Sequence, residues 1–219
     1  MTQLLHIDAS IRKRENDNPN HDSISKKLAH SFVESLKENT PITRYIYRDV
    51  GANPPPFTDQ EWLGAVFTPA EKRTDAQKQK LLMSDTLIRE LKDADIVVIS
   101  SPMYNYGMPA QLKAWFDQVV RINETFSFDL ARGDFPLEPI LSGKSLVLLT
   151  SCGEFGFESG GIRARMNHLA PHIRTLSKYL GCETVYEIAS EYQEFSDLRH
   201  QNSLASAFTE TRALAKSLA

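Results

Sequence analysis

The segment from Ser101 to Pro109 has the composition of a loop that holds a flat heteroaromatic ring. Two prolines and Gly107 restrict its backbone, so its N–H and C=O groups point in fixed directions towards the edge of a ring. Two tyrosines and two methionines supply flat or polarisable side chains for the ring faces. A proline-rich turn with aromatic side chains in the core is the alternative. Because the segment directly follows the most apolar run of the chain, the ring-binding interpretation is favoured.

A second segment, residues 8–25, has the groups that bind a phosphate monoester without a metal. It contains neither GxGxxG nor GxxxxGK[ST], which excludes the dinucleotide fingerprint and the P-loop. The hydroxyls of Ser10, Ser23 and Ser25 stand near a predicted helix start. The first N–H groups of a helix are free, and its dipole attracts anions. For Ser23 by itself, a helix N-cap is the simpler interpretation.

The segment from Thr150 to Gly156 is a third candidate ligand loop, and it continues to Gly160-Gly161. Glycines allow the backbone to approach a ligand closely. Cys152 lies in this loop, but no His or Asp partner is arranged in the sequence to activate its thiol. We therefore expect Cys152 to be a small apolar neighbour of the ligand rather than a nucleophile.

Each of the three loops follows a predicted β-strand. Apolar strands alternate with amphipathic helices along the chain, and this order predicts a parallel sheet. The strands are predicted at residues 4–8, 42–50, 95–100, 145–150 and 184–189. Right-handed crossovers then give an α/β fold with an open, doubly wound, five-stranded sheet and helices on both faces. Ligands bind beyond the carboxyl ends of such strands, where the three loops lie.

The predicted helices connect these strands. They are expected at residues 23–36, from Thr68 towards Lys92, at 109–122, at 162–180 and around 204–218. Thr68, Pro69 and Glu71 have the pattern of a helix start, and Pro171 predicts a kink or break in the fourth helix. Residues 51–68 and 123–142 are predicted to be irregular. No repeat or linker interrupts the pattern, so residues 1–219 are predicted to form one domain.

The composition of the chain indicates which classes of binding partner and which cellular compartment to expect. The chain has 219 residues and a net charge of -3, and Arg12-Lys13-Arg14 is its largest basic cluster, so no nucleic-acid partner is expected. Two cysteines, no signal-peptide pattern and no apolar run near the ~20 residues of a membrane span predict a cytoplasmic protein. His168 and His172 are one helical turn apart without a third ligand nearby, so no metal site is predicted.

The segment Pro102–Asp117 resembles the flavin-loop signature of the FMN-dependent NADH-azoreductases, close relatives of the NAD(P)H quinone dehydrogenases. Three further stretches are similar to the family's second-strand exit, its aromatic segment and its fourth-strand loop; they are Arg48–Pro54, Thr125–Phe128 and Thr150–Gly153. The similarity extends in order over essentially the whole chain. It implies a flavodoxin-like fold.

The resemblance also implies an activity, which is FMN-dependent reduction of quinones and azo compounds by two-electron, ping-pong hydride transfer from NADH or NADPH. It implies a homodimer with each flavin near the interface. By position, the residues that hold the FMN phosphate are Ser10, Ser23, Ile24 and Ser25. Those that hold the isoalloxazine ring are Pro102, Met103, Tyr104, Asn105, Tyr106, Ser151, Cys152, Gly153 and Glu154.

No single catalytic residue is predicted, because a flavin does the redox chemistry and the protein positions it. Asn105 and the Gly153 backbone are candidates for tuning the reduced ring, and Phe126 and Phe128 are candidates for the substrate wall. Phe128 stands where a relative carries tyrosine, so a hydroxyl that contacts substrate is missing here. The preference between NADH and NADPH stays open, since no acidic Rossmann residue is present to argue it.

Two other classes of function remain open. A flavodoxin-like electron carrier binds FMN but reduces no small molecule by itself; such carriers tend to be shorter and strongly acidic, so -3 over 219 residues counts against it. A flavin-binding regulatory module is the other class. The homodimer is also favoured by apolar side chains that a small domain has difficulty covering: Phe57, Trp62, Leu63, Val66 and Phe67.

Overall fold

A five-stranded parallel sheet organises the chain, of which a computed structural model describes residues 2–219. The strands in chain order are β1 (Thr2–Asp8), β2 (Ile42–Asp49), β3 (Ile96–Pro102), β4 (Phe126–Phe128), β5 (Leu137–Pro139), β6 (Lys144–Ser151) and β7 (Cys182–Ser190). The large sheet has the order β2-β1-β3-β6-β7, and all its neighbouring strands are parallel. This is the flavodoxin-like order of a doubly wound sheet, so the predicted fold class is confirmed.

Within residues 2–219, six α-helices connect and cover the strands. They are α1 (Ile24–Asn39), α2 (Gln60–Phe67), α3 (Asp75–Asp93), α4 (Ala110–Val119), α5 (Ala170–Ser177) and α6 (Leu198–Ser217). Helices α1 and α6 pack on one face of the sheet, and α3, α4 and α5 pack on the other. Strand β3 lies at the centre and is buried along its whole length, as its continuous apolar run predicts.

Two apolar cores lie on opposite faces of the sheet, because successive side chains of a strand point to opposite sides. On one side, Leu5, Val97 and Leu146 pack against α3, α4 and α5. On the other, Leu4 and Val98 pack against α1 and α6. The two faces together fix the strand ends from which the three candidate loops emerge.

The prediction of an irregular segment at 51–68 is wrong for its second half, where α2 forms. The Asp59 carboxylate accepts a hydrogen bond from the backbone N–H of Trp62 at 2.8 Å and so caps this helix. Trp62 and Val66, four residues apart, pack with Leu81 of α3 in a small separate core. The short amphipathic pattern of α2 was not recognised in the sequence because three prolines precede it and predict irregular structure.

The predicted helix start at Thr68 is also wrong, because α3 begins at Asp75. Thr74 is its N-cap, and the Gln77 side chain accepts a hydrogen bond from the Thr74 N–H, which completes a capping box. The Thr68 hydroxyl instead donates to the Gly64 carbonyl at the end of α2, at 2.8 Å. The helix therefore begins at a different threonine cap, about two turns later than predicted.

The helix predicted at 162–180, with a kink or break at Pro171, is divided into several pieces. Residues 164–166 form a 3₁₀ turn, α5 begins at Ala170, and a second 3₁₀ turn precedes Gly181. Pro171 lies in the first turn of α5, where its missing N–H costs nothing. Gly181 ends the run in a left-handed conformation, which glycine adopts without steric cost. In the segment 123–142, predicted to be irregular, β4 and β5 form an antiparallel pair.

Candidate functional site

The three candidate loops meet at the carboxyl ends of β1, β3 and β6 and line one cleft. Residues of the predicted cofactor set that line it are Ser10, Ser23, Ile24, Pro102, Met103, Tyr104, Ser151, Cys152 and Gly153. Arg12, Asp22, Gln193 and Glu194 complete its wall. The cleft therefore joins a serine-rich end to an aromatic and sulfur-containing end.

The serine-rich end of the cleft is built around the first turn of α1. The Ser23 hydroxyl caps the helix by accepting from the Lys26 N–H at 3.3 Å, and the Ser25 hydroxyl lies 3.3 Å from that of Ser23. The N–H groups of Ile24 and Ser25 belong to the first turn, so they have no intrahelical acceptor. Ser23 is thus confirmed as the N-cap of α1. The remaining free N–H groups and the helix dipole suit the binding of an anion.

Ser10 reaches the same end of the cleft from β1. Its hydroxyl accepts a hydrogen bond from the Arg12 N–H at 3.1 Å, and the Ser23 N–H donates to the Lys13 carbonyl at 2.9 Å. The loop is thereby folded back onto the helix start. The donor set consists of hydroxyls, backbone N–H groups and one arginine, and this chemistry fits a phosphate monoester.

Gly51, just after the end of β2, packs against the backbone of the loop that carries Ser10. A Cβ atom at Gly51 would lie 2.0 Å from the carbonyl oxygen of Ser10, a distance that no real Cβ adopts. The Gly51 N–H also donates to the Asp8 carbonyl at 3.2 Å. The position of Ser10 therefore depends on a residue without a side chain in the neighbouring strand exit.

The loop after β3 forms the other end of the cleft. The Met103 N–H donates to the Ser151 carbonyl at 2.8 Å, which ties this loop to the one after β6. Tyr104 and Gly107 exchange two backbone hydrogen bonds, at 3.0 and 2.9 Å, and so close a two-residue turn. The residues between them, Asn105 and Tyr106, have φ of 46° and 66°. Asn tolerates this left-handed conformation, whereas it strains a bulky residue such as Tyr.

Three members of the predicted ring-binding set, Asn105, Tyr106 and Glu154, do not line the main cleft. Asn105 is exposed and borders the neighbouring groove, together with Ile11 and His168. Tyr106 points across to the loop after β6, where its hydroxyl donates to Glu154 Oε2 at 3.1 Å. The Glu154 carboxylate raises the pKa of Tyr106 by accepting this hydrogen bond.

Glu154 joins the two loops rather than lining the cleft. Arg163 Nε donates to its Oε1 at 3.0 Å, and the same guanidinium donates to the Phe155 carbonyl at 3.1 Å. We call Tyr106, Glu154 and Arg163 the loop bridge. It holds a strained turn in place, which a loop that must stay rigid around a ring requires.

Breaking the loop bridge is expected to weaken binding of the cofactor. In Glu154→Ala the Tyr106 hydroxyl and the Arg163 guanidinium lose their shared acceptor, which costs about 1 kcal/mol in holding the turn, or about five-fold in FMN affinity. Quenching of FMN fluorescence by the apoprotein measures the change. Glu158→Ala is the control, since no side-chain hydrogen bond of Glu158 is found among residues 2–219. Equal affinities for both variants would show that the bridge does not act on the cofactor.

Cys152 lines the cleft but has the properties of an inert thiol. Its side chain is buried, and burial raises its pKa to about 12, with Glu191 and Glu154 adding to the effect. The thiol contacts the Glu154 carbonyl at 3.5 Å. Since nucleophilic cysteines need a lowered pKa, the interpretation as a small neighbour of the ligand is supported.

Cys152→Ala is therefore expected to keep NADH-dependent turnover within about two-fold of the unmodified chain, because the thiolate is scarcely populated at neutral pH. Iodoacetamide should also leave the rate unchanged. Cys182, the second free cysteine, is buried and has its pKa raised to about 12 by burial. Rapid inactivation by iodoacetamide that Cys152→Ala abolishes would instead assign a reactive role to Cys152.

The candidates for the substrate wall lie apart from the cleft within one chain. Phe126 packs its ring 5.7 Å from that of Tyr179, and Phe128 is exposed on the short β4–β5 pair. His168 and His172 are both exposed. Within residues 2–219 no group of three or more His, Cys, Asp or Glu side chains is placed to hold a metal ion.

Sequence reasoning missed the loop after β7. Gln193 and Glu194 of this loop line the cleft, and the Glu194 side chain covers Gly153, where a Cβ would lie 2.5 Å from the Glu194 Cγ. Tyr192 in the same loop stacks on Phe155, with ring centroids 4.5 Å apart. The rule that ligands bind at the carboxyl ends of parallel strands applies to β7 as well and was the signal available.

No helix among residues 2–219 combines the length and apolar character needed to cross a membrane. Residues 2–214 match the model of a protein family described as having the flavodoxin-like fold. The structure is similar to that of an FMN-dependent NADH-azoreductase from Bacillus anthracis in complex with FMN, with a TM-score of 0.83, 20% identity and complete coverage of both chains. At this identity the likeness shows the fold alone.

Sequence relatives are much more similar. The chain is 64% identical over 218 residues to FMN-dependent NADH:quinone oxidoreductase 2 of Idiomarina loihiensis, with 100% of this chain and 91% of that protein covered. It is 61% identical to the protein of the same name from Colwellia psychrerythraea, with 100% of each covered. The predicted relationship is thus confirmed, and the chain belongs to the FMN-dependent NADH:quinone oxidoreductases of the flavodoxin-like fold.

Proposed function

We propose that this chain binds FMN in the cleft and uses it to reduce quinones with NADH. The observation that carries the proposal is that one cleft joins the serine-rich start of α1 to the loop after β3. The N–H groups of the first turn and the hydroxyls of Ser10, Ser23 and Ser25 would hold the phosphate. The backbones of residues 102–104 and 151–153, which line the cleft, would hold the isoalloxazine.

When bound, FMN would supply the redox chemistry of a two-electron, ping-pong exchange between NADH and the acceptor. The residues of the chain bind and orient. The backbone hydrogen bond of 2.8 Å from Met103 to Ser151 fixes the loops after β3 and β6 relative to each other, and these loops would hold the ring. Asn105 and the Gly153 backbone stay the candidates for tuning the reduced ring.

The acceptor is proposed to be a quinone, with azo compounds as further substrates. The relatives from Idiomarina and Colwellia are named for quinone reduction, and the similar Bacillus structure for azo reduction. Phe128 offers a flat apolar surface without a hydroxyl, which suits a planar acceptor held by contact rather than by hydrogen bonding. Both NADH and NADPH remain possible donors.

We further propose that two chains assemble into a homodimer. Of the apolar side chains in the segment 57–68, Trp62 and Val66 are buried within the chain. These two side chains therefore no longer support a dimer, contrary to the sequence-based prediction. Phe57, Leu63 and Phe67 remain exposed, at 72%, 51% and 66%. Exposed apolar side chains of this size in one segment are typical of an interface. The substrate-wall role of Phe126 and Phe128, which do not line the cleft of their own chain, depends on such a partner.

Light scattering is expected to give twice the mass of one chain at micromolar concentration. Leu63→Glu, which places a charge in the exposed apolar segment, should shift the distribution towards single chains because burial of the carboxylate is unfavourable. Thr209→Glu at an exposed position of α6 is the control and should leave the mass unchanged. A single-chain mass for the unmodified protein would contradict the homodimer.

Steady-state kinetics test the proposed function. Initial rates at several fixed quinone concentrations, plotted reciprocally against NADH, should give parallel lines, because one site serves donor and acceptor in turn. An azo dye in place of the quinone should be reduced with the same pattern. An electron carrier would bind FMN and show no NADH consumption with either acceptor. The cytoplasmic location, the absence of nucleic-acid partners and the single domain 1–219 stay predictions.

A further inference from the structure

A buried polar cluster lies directly beneath the serine-rich end of the cleft, and the proposed cofactor site does not use it. Its centre is Asp8, at the end of β1 and 3% exposed. Asp8 Oδ1 accepts hydrogen bonds from the Ser100 hydroxyl at 2.5 Å and from His6 Nε2 at 2.9 Å, and Oδ2 accepts from the Tyr47 hydroxyl at 2.8 Å. One carboxylate thus connects β1, β2 and β3.

The Asp8 carboxylate is ionised in this setting. Burial on its own raises the pKa of Asp8, but the hydrogen bond and charge of His6 and the hydroxyls of Ser100 and Tyr47 outweigh it and leave the pKa below its ordinary value. An ionised acceptor makes stronger hydrogen bonds than a neutral one. The three donors are therefore held firmly at neutral pH.

Stability alone does not explain such a cluster. Replacing a buried ionic network by apolar side chains of similar volume is often neutral or stabilising, because the charges must be removed from water. Buried polar networks are better suited to selecting one arrangement of the backbone around them. The network around Asp8 is therefore expected to fix the position of one part of the site.

The network joins β3 to the end of β1, and these two parts of the chain differ in how firmly other contacts hold them. Ser100 lies in β3, which is buried along its length between β1 and β6, and the loop beyond is tied by Met103 to Ser151. The loop beyond β1, which carries Ser10, leaves the sheet one residue after the Ala9 N–H donates to the Ser100 carbonyl at 2.9 Å. The β3 end is thus the fixed reference, and the loop with Ser10 is the part to be positioned.

We propose that Asp8 is a positioning residue, whose carboxylate links β1 to Ser100 and Tyr47 and thereby places the Ser10 loop to receive the phosphate of FMN. The inference rests on the proposed phosphate site. Asp8 itself is not proposed to touch any atom of the cofactor. It acts through Ser10, two residues further along the chain, and through Gly51, whose N–H donates to the Asp8 carbonyl.

The test compares FMN with riboflavin, which carries the same ring system without the phosphate. Full-length apoprotein is titrated with each flavin, and fluorescence quenching gives both dissociation constants. In Asp8→Leu the FMN constant should rise about ten-fold, because the loop loses its charged acceptor, while the riboflavin constant changes less than about two-fold. Asp8→Asn keeps an acceptor oxygen and should recover part of the discrimination.

Lys144→Met is the matched control. The Lys144 ammonium is also buried and donates to the carbonyls of Lys92 and Ala94, at 2.9 and 2.6 Å, at the opposite end of the sheet. Its replacement should change the urea midpoint without changing the ratio of the two flavin constants. Should Asp8→Leu fail to fold, Tyr47→Phe removes one donor from an edge position and should still raise the FMN constant about three-fold.

Equal losses for FMN and riboflavin in Asp8→Leu, or an unchanged ratio in Tyr47→Phe, would overturn the positioning role and leave a merely structural one. The unmodified protein separates this failure from that of the proposed function. If it binds FMN no better than riboflavin, the phosphate site itself is wrong. If it prefers FMN and the variants keep that preference, only the role of Asp8 is wrong.

Discussion

Gly51→Ala is expected to raise the dissociation constant of FMN by about 30- to 100-fold. The new Cβ would lie 2.0 Å from the Ser10 carbonyl oxygen and 2.5 Å from its carbon, so the backbone that carries the phosphate-binding hydroxyl must move. Overpacking against backbone costs about 2–3 kcal/mol, which corresponds to this loss of affinity if the loop alone absorbs it. Titration of the apoprotein with FMN, followed by fluorescence, measures the change.

Gly64→Ala is the matched control for this substitution. Gly64 lies in α2, and a Cβ built there meets no atom within 4 Å. Alanine is the better helix former by about 1 kcal/mol, so the control should be slightly more stable and bind FMN as before. If Gly51→Ala binds FMN as tightly as Gly64→Ala does, then Ser10 and its loop do not hold the phosphate.

Trp115→Ala is expected to lower the free energy of unfolding by about 3–5 kcal/mol, the usual cost of removing a large buried aromatic side chain. Trp115 is fully buried in α4 and packs edge-on against Phe116, with ring centroids 5.1 Å apart. Because α4 begins directly after the loop that ends at Pro109, a cavity beneath it should also loosen that loop. Urea unfolding followed by circular dichroism measures the loss.

Lys113→Ala, two residues away in the same helix, serves as the comparison. Lys113 pairs with Asp117 one turn later at 2.5 Å, and both side chains are exposed. Exposed pairs of this kind contribute about 0.3–0.5 kcal/mol. If the two substitutions have similar effects on the urea midpoint, the tryptophan of the family signature is not a packing residue.

The alternation of apolar and amphipathic segments was sufficient to predict the five-stranded sheet and the approximate positions of the covering helices, except for α2 and the start of α3. The strand at 95–100 was the clearest case, because an apolar run of that length is typical of a strand buried on both faces. The loops after β1, β3 and β6 were then placed at one edge by topology alone. That is why most of the predicted cofactor residues line a single cleft.

Features that depend on contacts between distant segments could not be predicted in this way. The helix α2 depends on Trp62 and Val66 meeting Leu81 of α3. Asn105 and Tyr106 lie in the predicted loop, yet their left-handed turn directs Tyr106 to Glu154 instead of the cleft. The close approach of Gly51 to Ser10 joins positions 41 residues apart. Single-segment patterns contain no information on such distances.

The most direct test of the central claim is the visible spectrum of the purified protein during anaerobic addition of NADH. Flavin absorption bands are expected to bleach when NADH is added and to return when a quinone follows, without oxygen. Flavin bands that respond to neither NADH nor NADPH would contradict a reductase and favour an electron carrier. A colourless protein that cannot be reconstituted with FMN would contradict the cofactor site itself.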